Sequence, residues 1–469
     1  MRFGRRHTDG KLRKTAERSS YPPTPASGDS KAAPLLGTVA YNTFEAFRYR
    51  DYRLLWIGNL CTTIAVWIQM TTMSWLAYDL TGSGSTLGMV NAMRMVPTLF
   101  VTPVAGVAVD RFNRNKIIAV SQLSLFIFTF LVAVDIYLGH LHVWHLFLFA
   151  LISGVANTFN LPARQTFVFD LVPAHIVPNA IAMDNIAMSS ARTLASTGAG
   201  ALIVAFGPAN NFLIQACMYL AIMSTVLSIK TRRRPEATHR RHFFKEMAEG
   251  FRYVSRNANA RLLMLMMIIN PMLLIPLHMA LLPIFAAKVL DGGAGALGLL
   301  LGSIGVGGFF GGLLTASLGK VDRRGLVQLV SLLVHSLAHA LFCVVAYLTH
   351  QLWLALPFLA LAGTMESLHL TTNQTVLQLL APDHLRGRLT SVLQLVQLIN
   401  PIGIFAAGAL ADHFGPVVVG ITFSMCGFFM TASIFLFSSR MRNLRLSELR
   451  ELGQQGLKPV SVAALSSIE

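Results

Sequence analysis

Charge is scarce in this chain: 13% of its 469 residues are Asp, Glu, Lys or Arg, and the acids number 21 against 38 bases. Mean hydropathy is positive and 54% of the residues are hydrophobic, a balance that excludes a soluble domain of ordinary composition. Cysteine is sparse too. Cys61, Cys217, Cys343 and Cys426 each stand alone inside an apolar run, which argues against a disulfide frame or a cysteine zinc site. There is no GxxxxGK[ST] loop to cradle a phosphate, which argues against a nucleotide-driven pump, and no Ser/His/Asp spacing points to an enzyme.

What the chain does have is long apolar runs. A hydrocarbon core about 30 Å thick takes roughly 20 apolar residues per helix, and twelve such runs can be marked. Six lie at 54–77, 87–109, 117–137, 143–161, 180–206 and 212–229, and six more at 262–287, 297–318, 326–348, 352–380, 389–411 and 417–437. They predict an all-α membrane protein of twelve transmembrane helices in two pseudo-symmetric six-helix bundles. The expected organisation is a disordered basic cytoplasmic tail (1–46), an N-terminal bundle (47–229), a cytoplasmic linker (230–261), a C-terminal bundle (262–438) and a second cytoplasmic tail (439–469).

A net charge of +17 raises the question of nucleic acid, and the placement of the bases answers it. Apart from Lys288, Arg94 and Arg192, 35 of the 38 bases fall before, between or after the runs on one side of the membrane. That asymmetry predicts an inner (plasma) membrane protein with both termini cytoplasmic, and no nucleic-acid partner. The N-terminal stretch RSSYPPTPASGDS has no apolar core and is not a signal peptide.

The two halves echo each other. Gln165-Thr166 returns as Gln374-Thr375, Pro173 as Pro382 and His175 as His384, all at an offset of 209, while Asp110-Arg111 returns as Asp322-Arg323 at 212. Shared apolar composition would not repeat polar positions. Internal repetition of this kind is common in secondary transporters.

On these residues, and on GVAVDRFNRNK at Gly106 to Lys116, the chain resembles the major facilitator superfamily from Phe47 to about Arg440. RDYRLLWIGN, LTGSGSTLG, NLPARQTFVFDLVP, EGFRYVSRNANARLL and APDHLRGRLTSV are similar to the proton-linked exporter branch that includes enterobactin exporters. The resemblance implies a monomeric secondary transporter without cofactor, exporting a small organic compound (siderophore, drug or metabolite) against protons by alternating access, in contact with membrane lipids. Importers and facilitators share the fold, and a transporter-like sensor or lipid-handling protein is the reading from another class.

In the loop, the resemblance implies a cytoplasmic gate of Gly106, Asp110, Arg111, Arg114 and Lys116, with Asp322 and Arg323 as the second copy. Asp110 would accept hydrogen bonds from a helix starting near Leu389, and Arg114 and Lys116 would pair with carboxylates or lipid headgroups. Asn113 stands where the loop usually has Gly, in a left-handed turn that Asn tolerates, and Asn115 replaces a base. The Gly-Pro pair that drug antiporters carry in helix five is missing from ARTLASTGAGAL.

A charge at bilayer depth costs about 2.5–3.5 kcal/mol even on lenient scales, so each one needs a reason. The first run has no acid between Leu54 and Tyr78. Glu366 lies about fourteen residues into the tenth run with His369 on the same face, and the pair is the expected proton-coupling site; a salt bridge from Glu366 to Arg94 or Arg192 is the alternative. Arg94, Arg192, Asp184 and Asn157 are expected as buried charge partners or substrate contacts. His335 and His339 have a spacing that suits a metal, but no third ligand accompanies them along the chain, and no metal site is expected.

Overall fold

In hydrocarbon every backbone N–H and C=O must be satisfied within its own segment, so apolar runs of this length become helices. The computed structural model describes residues 45–229, 243–318, 321–380, 389, 392–393, 396–445 and 447, and no strand occurs among them. The side chains of residues 110, 185–186, 189–190, 192–193, 243–248 and 397 are not described. The gate expectation for Asp110, the Arg192 expectation, the N-terminal tail and the segment 381–388 before Leu389 therefore fall outside the described residues.

The helices are α1 (Arg50–Thr81), α2 (Gly84–Arg111), α3 (Arg114–Tyr137), α4 (Val143–Leu171), α5 (Val177–Leu227) and the short α6 (Phe243–Arg256). They continue as α7 (Ala258–Val289), α8 (Gly293–Ser317), α9 (Arg324–Thr349), α10 (Leu352–Leu380), α11 (Asn400–Phe414) and α12 (Pro416–Phe437). Among the described residues, ten helices have a stretch long and apolar enough to cross a membrane.

Runs five and six are joined in α5, but Gly207, with φ 80° and ψ 165°, breaks the helix before Pro208. The Asn211 amide donates to the Ala199 carbonyl at 3.1 Å, whereas twelve residues of straight helix would separate them by about 18 Å. The chain turns back on itself there, so α5 supplies two crossings. The eleventh crossing is described from Asn400 onward, in α11.

The fourth run was expected to stop at Leu161, before Pro162. Instead α4 continues through Pro162 to Leu171, which membrane helices tolerate because neighbouring groups re-satisfy the freed carbonyl. Arg164 and Asp170 thereby move from a loop into a helix.

Apolar side chains face outward, and the largely apolar interior also holds polar ones. Phe100, Trp353 and Phe437 project outward, while Gln69, Gln122, Asn211, Gln215, Gln328 and Asn373 are fully buried, as expected where interhelical packing and hydrogen bonds replace a hydrophobic driving force. In the first half α1 and α3 pack on α5 and α2 on α4, and in the second half α8 and α9 pack on α10 and α9 on α12.

The halves meet where α8 packs on α5 and α11 on α2. At the end away from the bases these contacts are at backbone distance. A Cβ on Gly200 would sit 2.5 Å from the Gly298 Cα, and one on Gly84 2.6 Å from the Gly408 carbonyl oxygen. Asp412, on the last turn of α11, accepts hydrogen bonds from the Gly84 amide, from the Ser85 amide at 2.9 Å and from the Ser83 hydroxyl at 2.9 Å. That end is closed.

Candidate functional site

Two polar clusters lie within the spans. The one in the second half grows from irregularities in α7, where Pro271, Pro276 and Pro283 each lack an amide hydrogen and the ladder widens into π turns at Asn270–Leu274, Leu277–Leu281 and Phe285–Val289. The second of these turns carries His278. Its Nε2 lies 2.9 Å from the His339 Nε2 of α9, and its Nδ1 lies 3.9 Å from Glu366 Oε2 of α10.

His335 sits one turn before His339, with ring centroids 4.6 Å apart. The three imidazoles are buried and each offers a nitrogen within 4.8 Å of the others. The His335 and His339 pair read from spacing has a third companion, His278, contributed by a separate helix. His369 is fully buried against the backbone of Gln328 and Met266 and is not one of the three. Glu366 is 5% exposed, and its Oε2 lies 3.9 Å from His278 Nδ1.

The first-half cluster joins α1, α4 and α5. The Arg164 Nε donates to Asn59 Oδ1 at 2.6 Å, and Asn59 Nδ2 donates to Asp184 Oδ2 at 3.2 Å. Asp184 Oδ1 has no hydrogen-bond partner among the described residues. Nearby, the Tyr52 hydroxyl donates to the Ala180 carbonyl at 2.9 Å and the Trp56 indole to that of Met183 at 3.2 Å, so α1 is fixed against α5 around the carboxylate. Asp184 lies two turns inside α5 and is half-buried, more open than Glu366.

The remaining expected residues are spread out. Arg94 faces the Tyr219 phenol, whose hydroxyl donates to Gln69 Oε1 at 3.1 Å. Asn157 returns its amide to the Ser153 carbonyl of its own helix at 2.9 Å. In the gate loop Arg114 pairs with Asp170 on α4, and Arg111 and Lys116 line a lateral groove of about 830 Å³ with Val120, Leu151 and Val155. Gly106 faces open space.

Asn113 is not in a left-handed turn: at φ −68° it caps α3, its side chain accepting from the Asn115 amide. Asn115, in place of a base, donates to the Ile229 carbonyl at 2.7 Å and ties the loop to the end of α5. In the second copy, Arg323 is the N-cap of α9, and Asp322 accepts from the Ser447 amide at 2.9 Å and hydroxyl at 3.1 Å. The chain's own C-terminal segment therefore holds that acid.

Two of these functional candidates escaped the sequence reading. Arg164 was hidden because the fourth run was ended at Leu161. His278 was hidden because ligands from different helices leave no spacing signal, although the three prolines around it mark an irregular helix.

A family model described as a transmembrane secretion effector matches residues 41–461. The chain is similar, at 24% identity, to the staphyloferrin A transporter of Staphylococcus aureus, over 84% of this chain and 96% of that protein. It is also 24% identical to the multidrug efflux pump Tap of Mycolicibacterium fortuitum, over 81% of this chain and 93% of that protein. Among solved structures, a bacterial homologue of the human lysosomal transporter Spinster, inward-facing and unoccupied, superposes with a TM-score of 0.66 at 15% identity, covering 87% of this chain and 98% of that one.

Proposed function

The chain belongs to the transmembrane secretion effector family of the major facilitator superfamily, and from that premise we propose that it expels a small amphipathic organic compound in exchange for protons by alternating access. It is a multi-pass membrane transport protein and not an enzyme. The siderophore and multidrug transporters among its relatives support export, and the closed end held by Asp412 supports a two-state cycle. The asymmetry of the bases supports a cytoplasmic assignment for the opposite end, the side on which an exporter loads its cargo and releases its proton.

One observation carries the coupling assignment: Asp184, half-buried within a span beside Arg164 and Asn59, holds an acceptor oxygen with no hydrogen-bond partner among the described residues. A coupling group must exchange protons with each side in turn, and Asp184 is less enclosed than Glu366. Either a proton or a donor group of the cargo occupies Oδ1, and that exclusivity is what exchange requires. Arg164 and Asn59 hold the carboxylate in place while it is empty. One charge moved across 100 mV supplies about 2.3 kcal/mol, enough for roughly a fortyfold gradient of cargo.

The test is proton release from acidified inside-out vesicles on adding a panel of siderophores, antibiotics and dyes. Wild type, Asp184→Asn and Glu366→Gln are compared at equal insertion. Wild type and Glu366→Gln are expected to release protons with the same compound, and Asp184→Asn is not. Loss in Glu366→Gln alone moves the coupling to the second half, and cargo movement without proton release in wild type makes the protein a facilitator.

A further inference from the structure

We propose that His278, His335 and His339 form a binding site for a divalent transition-metal ion of the zinc class inside the second bundle. Three imidazole nitrogens are the donor set that zinc, cobalt, nickel and copper select, whereas magnesium and calcium require oxygens. The three rings come from two helices packed within one half, so the site is built by the fold and not by a mobile loop. Their nitrogens lie within 4.8 Å of one another, and a tetrahedral ion at about 2.1 Å from each needs them about 3.4 Å apart. Rotamer adjustments of about an ångström close the set.

The arrangement behind the rings fits a metal better than a hydrogen-bonded core. His278 presents Nε2 to the cluster centre and turns Nδ1 toward the Glu366 carboxylate, the outer partner that orients a metal-ligating histidine and raises its basicity. The carboxylate also offsets half the charge of a divalent ion in a place where uncompensated charge is costly.

Neither ring nitrogen of His335, nor Nδ1 of His339, has a hydrogen-bond partner among the described residues. Buried polar atoms left open in hydrocarbon call for an unseen ion or water. His278 also lines a small cavity where α7 meets α1 at Trp67, Thr71 and Ser74. Three imidazoles leave the fourth position of the tetrahedron to water.

The site ties the π-bulged stretch of α7 to α9. Its existence does not depend on which compound is exported or on where the proton is held.

The experiment uses untagged full-length protein in nanodiscs, stripped with a chelator and titrated with Co²⁺. One equivalent is expected to produce the intense visible bands of a four-coordinate ion, displaced by Zn²⁺, and X-ray absorption of the Zn²⁺ form is expected to show three imidazole nitrogens at about 2.0–2.1 Å. The bands should vanish in His335→Ala and in His339→Ala and persist in His142→Ala/His145→Ala, a pair at the surface. In Glu366→Gln they should remain while affinity falls about 10–100-fold. Absence of the bands in folded wild type, an oxygen-only shell by X-ray absorption, or loss of the bands in the surface pair alone would overturn the assignment; the X-ray measurement needs no variant and so stands even if a substitution fails to fold.

Discussion

Among the described residues Arg164 is the cation that faces Asp184 in the first-half cluster, and its role is tested by removing it with and without its partner. Arg164→Gln breaks the hydrogen bond to Asn59, and we expect it to lower stability by about 2 kcal/mol, read as a fall in the thermal midpoint in detergent. Arg164→Gln/Asp184→Asn should be more stable than Arg164→Gln, because no carboxylate then remains without a cation. Arg164→Lys should not restore the wild type, since an ammonium cannot reproduce the planar guanidinium donor at Nε. A double variant no better than the single one would mean that Arg164 acts through packing alone. Residues of this kind are unevenly legible. Glu366 stood out because a carboxylate in an apolar run is costly wherever its helix ends, whereas Arg164 passed for a loop base because the fourth run was ended at Leu161. His278 carried no signal of its own: its significance arises only when α7 and α9 are side by side.

At the scale of elements, the contact between α5 and α8 depends on glycines that bring two backbones together. A side chain on Gly298 would meet the Gly200 Cα at 2.8 Å and the Thr197 carbonyl oxygen at 3.0 Å, so neither neighbour can yield by a rotamer change. Gly298→Val is therefore expected to hold the closed end apart without unfolding either half. The measurement is labelling of a cysteine introduced at Ala294 by a membrane-impermeant maleimide, which should rise several-fold in the Gly298→Val background; unchanged labelling would show that the contact is not needed for closure. The helices themselves were legible, since hydrocarbon leaves an apolar run little choice but to be helical. Their boundaries were less so. The turn at Gly207 was anticipated by the gap between runs five and six, but the extra turns of α4 were not, because a helix inside a bundle can carry polar residues past the point where hydropathy falls. The ARTLASTGAGAL tract stood out for its missing Gly-Pro pair, and its use as a contact surface required the opposite helix to be seen.

At the scale of the whole molecule, polar contacts between the two halves converge on Asp412. Burial alone would raise the Asp412 pKa, but the amides of Ser85 and Gly84 and the hydroxyls of Ser85 and Ser83 act the other way and hold it below the usual carboxylate range. An acid with a lowered pKa in the latched state contributes its stabilisation above the ordinary value of about 3.9 and loses it as pH falls through the lowered one. The latch is accordingly insensitive to pH between about 5 and 8, and the proton that drives the cycle is not read here. Spin labels at His140 and Gln351, on loops at the closed end of the two halves, test this in a background with the four native cysteines replaced. Their separation should not change across that pH range in wild type and should gain a longer population in Asp412→Asn, where a neutral amide replaces the charge at the first turn of α2. A pH-dependent distance in wild type would place the proton switch at the latch, and no response to Asp412→Asn would leave closure to the glycine contacts alone. The sequence-level repeat located the gate at the basic end, where both halves carry Asp-Arg, and gave no hint of this one: Asp412 acts on the other end of α2, through amides that any sequence would supply, so only the approach of α11 reveals it.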